Sequence, residues 1–422
     1  MKKQIAFISE HASPLAILGG VDSGGQNVYV AETAKQLSAM GFDIDIFTRW
    51  ENPDVDKVIT WMPGIRVIHL KAGEKKVLPK EELLEHMPEF REQMLDFVLS
   101  ENKNYFLIHA HFFMSALVAA DIKRILNIPF VVTFHALGAI RRKFQGMNDG
   151  FPEERIDVEK RVAKEADYIV AECPQDKIDL IKYYSASPGK IVIIPCGFSS
   201  QEFYPVNKQH ARKLLGIDLS EKILLQLGRM VKRKGIDNVI MALAHLKEAG
   251  HRCKLIIVGG ECCPEEFNND PELKRLKGIA YEYDVLDDII FTGKKSRREL
   301  KYYYSAADVF ITTPWYEPFG ITPLEAMACG TPVIGSNVGG IKFSVADGET
   351  GFLVPPTNPK ALAEKVAHIL FDKQLTAWMK RNALQRVKKF FTWENVCVQL
   401  SMLYAKLYSI KSGYYEIQSY LS

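Results

Sequence analysis

Short apolar runs alternate with segments of helical period along the whole chain, and few architectures accept that pattern. In the first half, QIAFIS, DIDIFT, IRVIHL, FLIHAH, FVVTFH, YIVAEC and IVIIPCG read as strands; in the second, ILLQLG, KLIIVGG, IIFTG, VFITTP and PVIGS read the same way. Strands spaced by helical stretches are the signature of βαβ units and parallel sheets, so the fold class is α/β. A chain of 422 residues exceeds one ordinary core, and the pattern pauses once, at FSSQEFYPVNKQH (198–210), before restarting with a fresh helix and strand. We therefore expect two Rossmann-like domains, 1–200 and 201–392. The segment 393–422 begins with helical period and is a candidate for packing back on the first domain, which periodicity alone does not decide.

Open parallel sheets bind their ligands beyond the carboxyl ends of the strands. Two such domains facing each other would make one deep cleft, so the residues just after each strand matter most. Composition narrows what could enter it. A net charge of +3 on a chain that is 25% charged gives no long-range reason to expect nucleic acid. The seven cysteines are odd in number and form no CxxC pair, which reads as reduced thiols of a cytoplasmic protein, with the vicinal Cys262 and Cys263 the one pair of note. MKKQIAFISE reads as a first strand rather than a signal peptide. No apolar run approaches the roughly 20 residues of a membrane span.

After the first strand comes LGGVDSGGQNVYV (18–30), in which Gly19, Gly20, Gly24 and Gly25 precede Gln26 and Asn27. A bare loop at a helix start offers backbone N–H groups to an anion or a sugar, the alternative being a turn of packing value only. After ILLQLG comes RMVKRKGID, setting Arg229 and Lys234 in a loop that begins at Gly228. A guanidinium and an ammonium at a helix start suit a diphosphate; solvated surface cations are the alternative. KKSRREL (294–300) reads as a polar loop and first helical turn, and RRK (141–143) is undecided.

After VFITTP comes WYEPFGITPLEAMACGTPVIG. Glu317 stands in its loop and Glu325 eight residues on in a helix, where the two carboxylates could reach opposite ends of one ligand. Glu325 has a structural alternative, a capping box with Thr322 and Pro323; no comparable alternative explains Glu317. His135 closes FVVTFH at a strand's carboxyl end, as either a structural or a catalytic histidine. His109 and His111 share a strand face, but no third ligand sits at zinc spacing, so metal is rejected there. DID (43–45) and DVD (54–56) are unpersuasive as cation sites.

GGVDSGGQNVYV, FHALG, GRMVKRKG, EPFGITPLEAMACGTPVI and VGGIKFSVADGETGFLVPP, in this order, resemble the retaining nucleotide-sugar glycosyltransferases of family 4, with the GT-B fold. The first-half loop most resembles sucrose-phosphate synthases and glycosyltransferases that use inositol phosphate. The resemblance implies that Arg229 and Lys234 hold the donor diphosphate, helped by Gly25, Gly228 and the backbone of Phe319, Gly320 and Ile321. Glu325 would bind the donor ribose, Glu317 the transferred sugar, and His135 the donor sugar from the other domain. Gly24, Gln26 and Asn27 would approach the acceptor. In the inositol-phosphate relatives the acceptor phosphate is held by an asparagine, a lysine, a tyrosine, a threonine and an arginine; Asn27, Lys80 and Arg155 match, while Phe112 and Ala136 replace the two hydroxyl residues.

The implied activity is a retaining, metal-independent transfer of a hexose from a nucleotide diphosphate sugar, UDP-glucose first and GDP-mannose or ADP-glucose behind it. The acceptor would be a small, phosphorylated sugar or polyol. No cofactor is required beyond the nucleotide-sugar co-substrate. Rival readings are a peripheral membrane enzyme with a lipid-linked or glycan acceptor, an epimerase of nucleotide sugars and a non-catalytic nucleotide-sugar binder. The acidic EELLEHMPEFREQMLDFVL (81–99) argues against the first of these. A dehydrogenase lacks its glycine fingerprint.

Overall fold

The computed structural model describes residues 3–16, 24–260 and 264–421. Gly19, Gly20, Cys262 and Cys263, singled out in the sequence, lie outside them. The chain divides into two compact units. Of the described residues, the first contains those up to Pro195 together with the segment from Trp393 onward; the second contains those of Cys196–Thr392.

The first unit is built on an eight-stranded sheet. Its strands are β1 (Gln4–Ile8), β2 (Asp43–Arg49), β3 (Val58–Met62), β4 (Ile65–Leu70), β5 (Leu107–His111), β6 (Phe130–Thr133), β7 (Tyr168–Ala171) and β8 (Ile191–Ile193), in the order β3-β4-β2-β1-β5-β6-β7-β8. All neighbours are parallel except β3, which runs antiparallel to β4 at the edge. The inner strands are buried on both faces because helices cover both, as in LIHAH of β5, where every residue is buried. β3 is absent from the sequence reading, and the reason is its exposure: VITWM alternates between exposed and half-buried positions and has no fully buried face.

The long helix Trp393–Leu421 returns to this unit. Trp393 is fully buried with its ring 5.5 Å from that of Tyr29, and the Tyr404 hydroxyl lies 2.6 Å from His109 Nδ1.

The second unit carries six parallel strands, β9 (Ile223–Leu227), β10 (Lys254–Val258), β11 (Ile289–Phe291), β12 (Val309–Thr312), β13 (Val333–Ser336) and β14 (Gly351–Val354), ordered β11-β10-β9-β12-β13-β14. The neighbours β9 and β12 sit at the middle, so the loops that leave their carboxyl ends are adjacent. β14 is a further strand absent from the sequence reading, four residues between Thr350 and Pro355. The two units have separate apolar cores, one around Ile8, Phe90 and Phe113, the other around Val239, Leu255 and Ile311. Among the described residues no helix is long and apolar enough to cross a membrane. None of the five described cysteines forms a disulfide, and all five are buried.

Candidate active site

In the second unit, the loops after β9 and β12 are stitched together by backbone. The Trp315 N–H donates to the Arg233 carbonyl at 2.9 Å, and the Thr313 hydroxyl donates to the Gly235 carbonyl at 3.1 Å. The approach is so close that a Cβ on Gly235, whose φ is +64°, would lie 2.1 Å from the Thr313 oxygen. Only glycine fits this position. The stitching brings Lys234 onto the Glu317 carboxylate, with Arg233 Nη1 3.6 Å from the same oxygen. Arg233 was passed over in the sequence although it adjoins Lys234; its guanidinium also lies 5.3 Å from the Tyr316 ring centre.

The electrostatics of this pair follow from its enclosure. Burial depresses the Lys234 ammonium to about 8, against the opposing pull of Glu317. Burial pushes the Glu317 carboxyl up, but Lys234 and Arg233 outweigh it and hold the group below its usual range. A structural role for Glu317 therefore exists after all, as counter-ion to two cations. Gly228 and Arg229 stand at the carboxyl end of β9, with the Gly228 N–H bonded to the Val258 carbonyl at 3.0 Å. The Glu317–Gly320 turn is backed by Gly339 and Gly340, whose bare Cα positions let the two backbones touch; the Gly340 N–H donates to the Pro318 carbonyl at 3.0 Å. Phe319 is buried, and Ile321 is the N-cap of the helix Thr322–Ala328.

The capping-box alternative for Glu325 does not form. Ile321, one residue earlier than that motif requires, caps the helix, and the Glu325 side chain turns inward to Arg297 Nη1 at 2.9 Å and to the Tyr304 hydroxyl at 2.9 Å. Burial raises the Glu325 carboxyl in spite of Arg297 and Tyr304. Arg297 comes from KKSRREL, which does start a helix as expected, with Ser296 and Glu299 as its capping box. Yet Arg297 is not a solvated surface cation: it bridges Glu325 and Glu202, the latter at 2.6 Å, and stacks over Phe203.

In the first unit, the carboxyl ends of the adjacent strands β1, β5, β6 and β7 bring together Ser9, His111, His135 and Glu172. His135 Nδ1 lies 3.0 Å from Glu172 Oε1 and its Nε2 lies 3.2 Å from His111 Nδ1. The imidazole rings of His111 and His135 stack with centres 5.4 Å apart, and Tyr29 meets His135 edge-on. His109, one turn of the pleat behind, is bonded to Tyr404 and Thr133, and burial lowers it to about 3. Among the described residues no cluster of His, Cys, Asp and Glu has a metal-holding arrangement.

The proposed acceptor residues are also placed in this unit. Gln26 donates to the His111 carbonyl at 3.2 Å and to the Ser9 hydroxyl at 3.3 Å, which seats it beside the histidines. Asn27 is buried and closes the start of helix Gly25–Ala39, its Oδ1 accepting from the Gly24 N–H at 2.9 Å. Lys80 starts a short 3-10 helix, 3.7 Å from Glu81. Arg155 is fully buried, paired with Glu159 at 2.8 Å, bonded to the Ala136 carbonyl at 2.8 Å and ringed by Phe112, Phe113 and Phe151. Its Nη1 has no hydrogen-bond partner among the described residues. The undecided Arg141 of RRK is a structural group, bonded to Asp149 and Glu81.

Known proteins resemble this one in architecture and in sequence. Residues 23–202 match the family described as Glycosyltransferase Family 4, and residues 207–386 match Glycosyl transferases group 1. The chain is 34% identical to a D-inositol 3-phosphate glycosyltransferase of Corynebacterium aurimucosum, over 97% of each sequence. It is similar to the solved sucrose-phosphate synthase from Thermosynechococcus elongatus, with 36% identity and a TM-score of 0.89, covering 97% of this chain and 100% of that one. At 20% identity, a likeness of fold alone, it also matches Anabaena Alr3699/HepE, solved in complex with UDP and glucose, with a TM-score of 0.74 over 96% of this chain and 100% of that one. Parallel sheets in two units, loops converging after β9 and β12, and relatives named for glycosyl transfer over nearly the full length lead to one conclusion: the chain belongs to glycosyltransferase family 4 and is a glycosyltransferase of the GT-B fold.

Proposed function

We propose that this enzyme transfers a hexose from a nucleotide diphosphate sugar, UDP-glucose before GDP-mannose or ADP-glucose, to a small phosphorylated sugar or polyol, with retention and without a metal ion. The observation that carries the reading is the Lys234–Glu317 pair on the two loops after β9 and β12, with Arg229 at the start of the first loop. Two cationic side chains on the one loop after β9 suit the charge that arrives on a diphosphate as it leaves. In this reading the anomeric C–O bond breaks and its electron pair passes to the diphosphate oxygen, which Arg229 and Lys234 stabilise. The acceptor oxygen bonds to the anomeric carbon on the same face, and its proton passes to the departing phosphate oxygen. Glu317 orients the sugar and Lys234 together, and Glu325, held by Arg297 and Tyr304, receives the ribose hydroxyls.

A phosphorylated acceptor is supported by the names of the relatives, an inositol 3-phosphate glycosyltransferase and a sucrose-phosphate synthase, and by Arg155, whose Nη1 is a donor still to be filled. Five buried thiols outside any disulfide agree with a cytoplasmic site of action. The test is a donor-by-acceptor matrix in EDTA: UDP-glucose, UDP-N-acetylglucosamine, GDP-mannose and ADP-glucose against fructose 6-phosphate, inositol phosphate and glycerate derivatives, reading nucleotide diphosphate release and the anomeric configuration of the product. Release that requires one phosphorylated acceptor and gives a retained anomer is expected. Release only on adding a divalent metal, or transfer only to unphosphorylated acceptors, would overturn the corresponding part of the reading.

A further inference from the structure

His135 is held in an unusual way. Its φ is +57°, and the Ala136 N–H donates to the Phe134 carbonyl at 2.6 Å across it, so His135 is the centre of a γ-turn with positive φ, a rare and strained conformation for a residue with a side chain. Such a turn persists only where the surroundings fix it, and the side chain shows how. Both ring nitrogens face protein groups, Nδ1 the Glu172 carboxyl from the end of β7 and Nε2 the His111 ring from the end of β5.

We propose that Glu172 is the positioning residue of His135, fixing the tautomer and orientation of its imidazole and, through it, those of His111. A carboxylate only accepts, so the His135 proton facing Glu172 is on Nδ1. In that tautomer Nε2 is the acceptor, and the proton between the two rings comes from His111 Nδ1. That leaves His111 Nε2 as a bare lone pair, which agrees with its having no hydrogen-bond partner among the described residues in its buried position, since an unfilled acceptor is tolerated better than an orphaned N–H. Burial keeps the His111 ring neutral. With both nitrogens engaged, His135 has none with which to take the acceptor's proton, so it serves the transfer by place and shape. The inference rests on the proposed role of His135 beside the donor sugar.

The experiment uses the full chain labelled with 15N-histidine, His135 and His111 assigned through H135Q and H111Q, together with steady-state kinetics. In the ligand-free enzyme both residues should show the Nδ1–H form. E172L should lose that signature at both rings and lower kcat about 10- to 100-fold, the scale of a misplaced group near reacting atoms, with donor KM nearly unchanged. E172Q, whose amide oxygen still accepts, should restore both. An Nε2–H form of His135 in the unsubstituted enzyme, or an E172L enzyme with unaltered tautomers or kcat, would overturn the inference. Should E172L not fold, E172D withdraws the acceptor by one methylene and should show a partial loss of both signals; normal values would overturn the inference equally. The tautomers need no substrate, so an enzyme that transfers nothing from any nucleotide sugar would refute the proposed function while leaving the Glu172 reading to be judged by NMR alone.

Discussion

Replacing Arg297 with Met should destabilise the second unit by an amount that the structure sets. Arg297 bonds Glu325 at 2.9 Å and Glu202 at 2.6 Å, and the Glu325 side chain is only 4% exposed. Removing one partner of a buried ion pair costs about 3–5 kcal/mol. The Tyr304 bond to the other Glu325 oxygen survives and the stranded carboxyl can take a proton, so the low end, about 3 kcal/mol, is expected. For a unit of this size each kcal/mol moves the melting point about 2–4 °C, giving a fall of roughly 6–12 °C.

The pH dependence gives a second handle. Burial already raises the Glu325 carboxyl above its ordinary value, and losing Arg297 raises it further. A carboxyl that holds its proton more tightly folded than unfolded loses stability as pH rises from the unfolded value through the folded one. The R297M deficit should therefore be largest near neutrality and shrink toward acid, and R297M/E325Q, with no charge to strand, should recover much of it. Melting curves across this pH range, completed as a double-mutant cycle, make the test. A melting point within about 1 °C of the unsubstituted protein, or a double variant no better than the single, would refute the account of Glu325 as a buried anion held by Arg297.

Three further outcomes follow from other contacts. K234M should lower turnover about 100- to 1000-fold; since the Lys234 ammonium is charged only below about 8, kcat/KM of the unsubstituted enzyme should decline above that pH, and K234R should remove the decline. An unchanged alkaline limb in K234R would separate it from Lys234. G235A, forcing a Cβ onto the Thr313 oxygen, should separate the two loops, lowering both the melting point and UDP affinity measured by calorimetry; unchanged values would mean the loops are not held by this contact. N27A should lose about 1 kcal/mol of helix capping, and a raised KM for a phosphorylated acceptor in addition would distinguish binding from capping alone.

The fold class was legible because the inner strands are short apolar runs and the crossovers keep helical period. What escaped was local: β3 lies exposed at an edge, and β14 is four residues long in a stretch dominated by turn residues. In the candidate site, Arg229, Lys234 and Glu317 could be proposed from position alone, since each follows a strand. Their pairing could not, because it depends on the backbone contacts of Gly235 and Trp315. Arg297 looked like a surface cation because nothing in KKSRREL announces a carboxylate 28 residues away. Glu172 was hidden for the same reason: a lone glutamate after YIVA acquires meaning only when β6 is laid beside β7.

The return of the chain to the first unit at Trp393 makes the order of synthesis differ from the order of completion. The core of the second unit is drawn from one contiguous stretch and can close as soon as Thr392 has left the ribosome. The first unit emerges earlier but finishes later, because His109 waits for a tyrosine hydroxyl 295 positions downstream and the Tyr29–Thr33 surface waits for Trp393 and Cys397. During that interval a nascent chain carries a finished domain on the ribosome side of an unfinished one, and the apolar flank of helix Gly25–Ala39 is the surface a holding chaperone would find.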